Sequence, residues 1–169
     1  MSRALAAEPQ NQKEMHESQY YDWLVLQAHL LRHGRECEAD LTNIAQELEE
    51  MGSALESAFV SYFRQALIQL CKIKYMKDTQ PHNHLKNEIA ICRAEIEDRA
   101  GNGFSNPEKI EDILKRAWRG AHQALKVSLK PAELDLLPLD CPFTIEQTRR
   151  YDYFPEPLVS SESAFGQSQ

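Results

Sequence analysis

Between Leu41 and Lys77 the chain carries no proline, and its apolar residues recur at steps of three and four. Leu41, Ile44, Leu48, Met51, Leu55 and Phe59 set the period, and Tyr62, Phe63, Ala66, Leu67, Leu70 and Ile73 continue it. This is the spacing of one face of an α-helix. Unbroken, such a helix would be about 55 Å long at 1.5 Å per residue. Gly52 interrupts the row at a cost of roughly 1 kcal/mol relative to alanine, so it predicts one long helix or two nearly collinear ones hinged there.

The neighbouring segments carry helix signals too. Ser18 is placed to cap a helix with Tyr21, Trp23, Leu26, Leu30 and Leu31 on its apolar face, and Gly34 to stop it. Asp40 is placed to cap the long helix. A turn is expected at Asp78–Pro81, then a helix through Leu85, Ile89, Cys92 and Ile96, then a loop at Gly101-Asn102-Gly103. Asn106-Pro107-Glu108 joins a cap, a proline at the first helical position and an acid suited to the dipole. The helix it starts presents Ile110, Ile113, Leu114, Ala117, Trp118, Ala121 and Leu125, and Pro131 closes it. Beyond Pro131, prolines and the aromatics Phe143, Tyr151, Tyr153 and Phe154 suggest an extension plugged onto the bundle, with a capping box at Thr144–Gln147.

No alternating strand pattern or internal repeat is present. The expected fold is all-α: a mainly antiparallel helical bundle with one long, possibly kinked helix and a Pro/aromatic-rich C-terminal extension. Residues 16–158 are expected as a single domain, between disordered tails at 1–15 and 159–169.

Composition narrows the class. Of the 169 residues 42% are hydrophobic and 27% charged, which suits a globular chain. No run of about 18 apolar residues exists to span a bilayer, and Met1–Glu17 lacks an apolar h-region, so a cytoplasmic, non-membrane protein is expected. Cys37, Cys71, Cys92 and Cys141 form no CxxC pair and read as reduced thiols, with Cys71 and Cys92 in the core. The net charge of −7 disfavours phosphate backbones. Yet charge is segregated: Glu36–Phe63 holds seven acids and no lysine or arginine. A later helix, Glu108–Lys130, offers a candidate basic face of Lys115, Arg116, Arg119 and Lys126.

Catalytic and metal signatures are missing. No glutamate has a histidine three residues on, His29 and His33 lack the HExxH form, and no phosphate loop, GxGxxG or nucleophile elbow occurs. No metal and no cofactor are expected. The candidate polar cluster is Asp22, Glu47, Glu50 and Arg93, carried beside apolar helix faces. It reads either as structural ion pairs, Arg93 with Glu47 or Glu50, or as a site whose arginine holds a phosphate or carboxylate.

The segments Asp22-Trp23-Leu24, Ala39–Gly52 with Glu56, Leu67–Tyr75, Glu88-Ile89…Arg93…Ile96 and Cys141–Gln147…Asp152–Pro155 resemble a bacterial all-helical family, domain of unknown function twenty-nine. The resemblance covers about residues 18–155. It implies an all-helical fold without an assigned activity, and recurrent positions at Asp22, Trp23, Glu47, Glu50, Arg93 and Cys141-Pro142. Members commonly carry Ser-Trp where this chain has His84-Leu85.

Two functions remain open. One is a non-catalytic interaction or adaptor protein that self-associates or binds a protein partner through a helix face. The other is a nucleic-acid-associated protein or nuclease using the helix 108–130 and the Glu47/Glu50 acids.

Overall fold

The structure, a computed structural model, describes residues 9–76, 82–101 and 106–158. Its helices are α1 (Pro9–Ser18), α2 (Tyr20–Arg32), α3 (Leu41–Tyr75), α4 (His82–Gly101), α5 (Pro107–Ser128), α6 (Pro131–Leu134) and α7 (Ile145–Arg149). A 3-10 turn at Glu36–Glu38 joins α2 to α3, and no strand occurs among the described residues.

Local chemistry sets most boundaries. Gly34 has φ +65°, and the Gly34 and Arg35 amides donate back to the Leu31 and Leu30 carbonyls, which ends α2. Asp40 Oδ1 accepts the Asn43 amide at 3.2 Å and opens α3. The Asn106 side chain accepts from the Glu108 amide, with Pro107 at the first helical position. Thr144 and Gln147 close the reciprocal capping box, at 3.1 and 3.0 Å.

Helix α3 runs through Gly52 without interruption, the first of the two expected forms. Other expectations change. Ser18 ends α1, its hydroxyl donating to the Glu14 carbonyl, and Gln19 precedes α2. Residues 9–15 belong to helix α1, while residues 1–8, the turn expected at 78–81, the loop expected at 101–103 beyond its first residue and the tail expected at 159–169 lie outside the described residues. The chain falls into two compact units divided between Ala54 and Leu55, inside α3.

In the C-terminal unit, Phe59, Phe63, Leu67 and Leu70 of α3 meet Ile89 and Ile96 of α4 and Ile113, Ala117, Ala121 and Leu125 of α5 in one buried core. Burial of such side chains stabilises by about 1.5–3 kcal/mol each. At Gly120 an added Cβ would stand 2.8 Å from Arg64 Cδ, so α5 carries a glycine where the Arg64 stem crosses it. Phe143 is buried and Tyr153 and Phe154 pack on this core, but Tyr151 is 76% exposed and is no plug.

The N-terminal unit is built differently. On α2, Trp23, Gln27 and Leu30 are buried at steps of four and three. The Gln27 amide donates to Gln12 Oε1 at 3.1 Å, and Gln27 Oε1 accepts the Asp40 amide at 2.9 Å, tying α1 and the start of α3 to α2. Tyr21 and Leu31, expected on the buried face, point to solvent.

Candidate functional site

Glu47 is the polar centre of the N-terminal unit. One carboxylate oxygen lies 2.7 Å from His16 Nε2, and the other accepts the Tyr20 hydroxyl at 2.5 Å. The His16 ring packs edge-on against Trp23, centroids 4.5 Å apart, and Tyr20 stacks beside the same indole at 6.1 Å. The Tyr20 hydroxyl first, and His16 second, hold the Glu47 carboxyl below its ordinary range. Reciprocally, the Glu47 hydrogen bond pushes the Tyr20 phenol up. Trp23 is fully buried, and its Nε1 has no partner among the described residues. Both oxygens of Glu47 are thus spent on fixing α1 and α2 against the first turns of α3.

Of the expected cluster, Asp22, Glu47 and Glu50 lie in the N-terminal unit and Arg93 in the C-terminal unit. Asp22 is exposed in the first turn of α2, and Glu50 is exposed and accepts from Gln46 at 2.9 Å. Arg93 is 1% exposed, yet among the described residues it pairs with no carboxylate of α3. Its Nε donates to the Thr148 carbonyl at 2.9 Å, its Nη1 to Tyr151 at 3.1 Å, and its Nη2 to Gln147 at 3.0 Å and Tyr153 at 2.8 Å. The Phe154 ring lies 5.3 Å from the guanidinium carbon. Arg93 is instead the buried clamp of the C-terminal extension.

The candidate basic face is largely committed. Lys115 pairs with Glu111 at 3.1 Å, and Arg116 pairs with Glu56 and, at 3.8 Å, with Asp112. Lys126 is exposed. Arg119 and Lys115 line a cavity of about 570 Å³ with Trp118, His122, Cys141 and Phe143. Among the described residues no group of three or more His, Cys, Asp or Glu side chains is placed to hold a metal ion.

The largest anomaly in the N-terminal unit is apolar. Among the described side chains of residues 12–54 the buried apolar ones are Trp23 and Leu30. Over the same span Tyr20, Tyr21, Leu24, Val25, Leu31, Leu41, Leu48 and Met51 are exposed, from 38% at Leu24 to 76% at Tyr21. On α2 the residues Tyr21, Leu24, Val25, Ala28 and Leu31 recur at helical steps, opposite the buried Trp23–Gln27–Leu30 row. On α3 the positions 41, 44, 48 and 51 form a second row at spacings of three and four. Sequence reading identified the α3 row but placed Tyr21 and Leu31 of α2 inside. It also missed His16 and Tyr20, whose only signal is a four-residue spacing followed by Trp23.

An all-helical protein with a packed C-terminal unit and a thin-cored N-terminal unit defines the class. The family model for Domain of unknown function DUF29 matches residues 15–154, and the chain belongs to that family. No curated protein and no solved structure matches the chain. No helix among the described residues is long and apolar enough to cross a membrane.

Proposed function

We propose that this chain is a non-catalytic helical interaction protein that binds a protein partner through the exposed apolar faces of its N-terminal unit. One observation carries the reading: the described side chains of residues 12–54 include two buried apolar ones and eight large ones left in water. Rows of large apolar side chains left in water on one unit mark an interaction site in a folded protein. Covering it is favourable by about 25 cal/mol per Å² before the costs of association. The His16–Glu47–Tyr20 contacts serve this reading by fixing the helices that display the two faces. The nuclease reading draws less support, because Glu47 is occupied at both oxygens and Lys115 and Arg116 already face acids.

The test is sedimentation of the chain in extract of its native cells. The expected result is a complex heavier than the 19.4 kDa monomer, returned toward monomer by Leu48→Arg. A wild-type chain that sediments as a monomer in that extract overturns the reading.

A further inference from the structure

We infer that the occupant of these faces is a second copy of the chain, the α2 face of one copy packing on the α3 face of the other about a twofold axis; this rests on the interaction reading above. Three observations point to self-association.

The first is complementarity within one chain. The unit presents two separate apolar helix rows, Tyr21–Leu24–Val25–Leu31 on α2 and Leu41–Leu48–Met51 on α3, each left uncovered. A twofold axis applies one contact twice, so one chain that carries both rows supplies everything such an interface needs. The result is a four-helix arrangement with a shared core, which a unit holding Trp23 and Leu30 alone does not possess.

Area is the second. The two rows offer seven large apolar side chains, each between 38% and 76% exposed, toward the roughly 800 Å² that each partner buries in a standard interface.

The third is charge. The first half of α3 carries Glu47, Glu49 and Glu50, and no lysine or arginine occurs from Glu36 to Phe63. Exposed basic side chains sit instead at the end of α2, where His29, Arg32 and His33 all face solvent. Setting α2 on the partner's α3 brings that basic end to an acidic half-helix, whereas α3 against α3 would oppose acids to acids. Gly52 fits the same picture. It lies exposed within α3, and a Cβ added there meets nothing within 4 Å, so no contact inside the chain calls for glycine. A helix crossing closely would.

The experiment is light scattering of the purified full chain over a range of concentrations, with Leu24→Glu, Leu48→Arg and their equimolar mixture. Expected are a wild-type mass twice 19.4 kDa, a halved mass for each variant, and recovery of the doubled mass on mixing. Recovery follows because the mixed dimer sets the introduced carboxylate against the introduced guanidinium at one contact and keeps the native leucines at the other. A purified wild type that stays at 19.4 kDa overturns the inference. If that monomer still enters a larger complex in cell extract that Leu48→Arg dissolves, the interaction reading stands with another protein as occupant; if it enters none, both fail. A dimer that persists in both variants, or monomeric variants that do not recombine, overturns the pairing of α2 with α3.

Discussion

Arg93 Nε donates to the Thr148 carbonyl at 2.9 Å, and the rest of the same guanidinium satisfies the carbonyls of Gln147, Tyr151 and Tyr153. One buried cation therefore fastens α7 and the following turn onto α4. Its charge has no carboxylate within the core, and burial accordingly pushes its pKa down, with Asp152 acting in the opposite sense. Removing it strands several carbonyls at once.

Arg93→Ala is expected to cost about 3 kcal/mol or more in urea unfolding, because hydrogen bonds to a charged group are worth about 1.5–3 kcal/mol each and their loss leaves buried acceptors unpaired. Arg93→Lys should recover less than half, since an ammonium lacks the planar fork that reaches four carbonyls. Trypsin should also cut the Ala variant faster at Arg149 or Arg150. Unchanged stability and unchanged cleavage would show that the clamp holds nothing.

The Glu47 carboxyl gives the N-terminal unit an acid limit. Its folded pKa lies below the ordinary 4.5, so it contributes stability that is complete above that value and is lost as pH falls through the lowered one. Tyr20 acts at the other end: its raised pKa contributes below about 10 and is lost as pH rises through the folded value. Glu47→Gln should flatten the acid side of a melting-temperature profile, and Tyr20→Phe the alkaline side. A wild-type profile identical to that of Glu47→Gln between pH 3 and 5 (a window of about one unit around the ordinary carboxyl range) would exclude the effect.

Thiol labelling reads the core directly. Cys71 is fully buried and Cys92 is 5% exposed, and burial raises both thiols, which shrinks the reactive thiolate fraction. Cys141 is half-buried, its Sγ donating to the Phe143 carbonyl, while Cys37 is exposed. A bulky disulfide reagent is expected to take Cys37 first and Cys141 more slowly, reaching Cys71 and Cys92 after denaturant is added. Rapid native labelling of Cys71 would displace it from the core.

Helices were legible in the sequence because period and caps are local: the α3 row, Asp40, Asn106-Pro107 and Thr144–Gln147 all act within a few residues. What covers a face is not local. The same three-four spacing that buries Phe59, Phe63 and Leu70 leaves Leu41, Leu48 and Met51 in water, and periodicity cannot separate the two halves. The glycines make the point again, since Gly120 has Arg64 against it and Gly52 has nothing. The partners of the polar residues are non-local too. Glu47 finds His16 and Tyr20 through the fold of α1 and α2, and Arg93 finds backbone carbonyls, which carry no residue-type signature. A charged pair was the natural expectation because side-chain charge is what a sequence displays.

Glu56 supplies the last prediction. It accepts Lys109 Nζ at 2.6 Å through one oxygen and Arg116 Nη1 through the other, linking α3 to the start and middle of α5. Lys109 first, and then Arg116, hold its carboxyl below the ordinary range, so the contribution is present above about pH 4.5 and disappears as pH falls through the lowered value. All three side chains keep some contact with water, which limits each pair to about 1 kcal/mol or less. A double-mutant cycle of Glu56→Gln with Arg116→Gln should therefore return a coupling of about 0.5–1 kcal/mol at neutral pH and low salt. At about 1 M salt, where the screening length shrinks to about 3 Å, the coupling should fall toward zero. A cycle that closes additively at low salt would mean that α3 and α5 are held together by the apolar contacts among Phe59, Phe63 and Ile113 without help from Glu56.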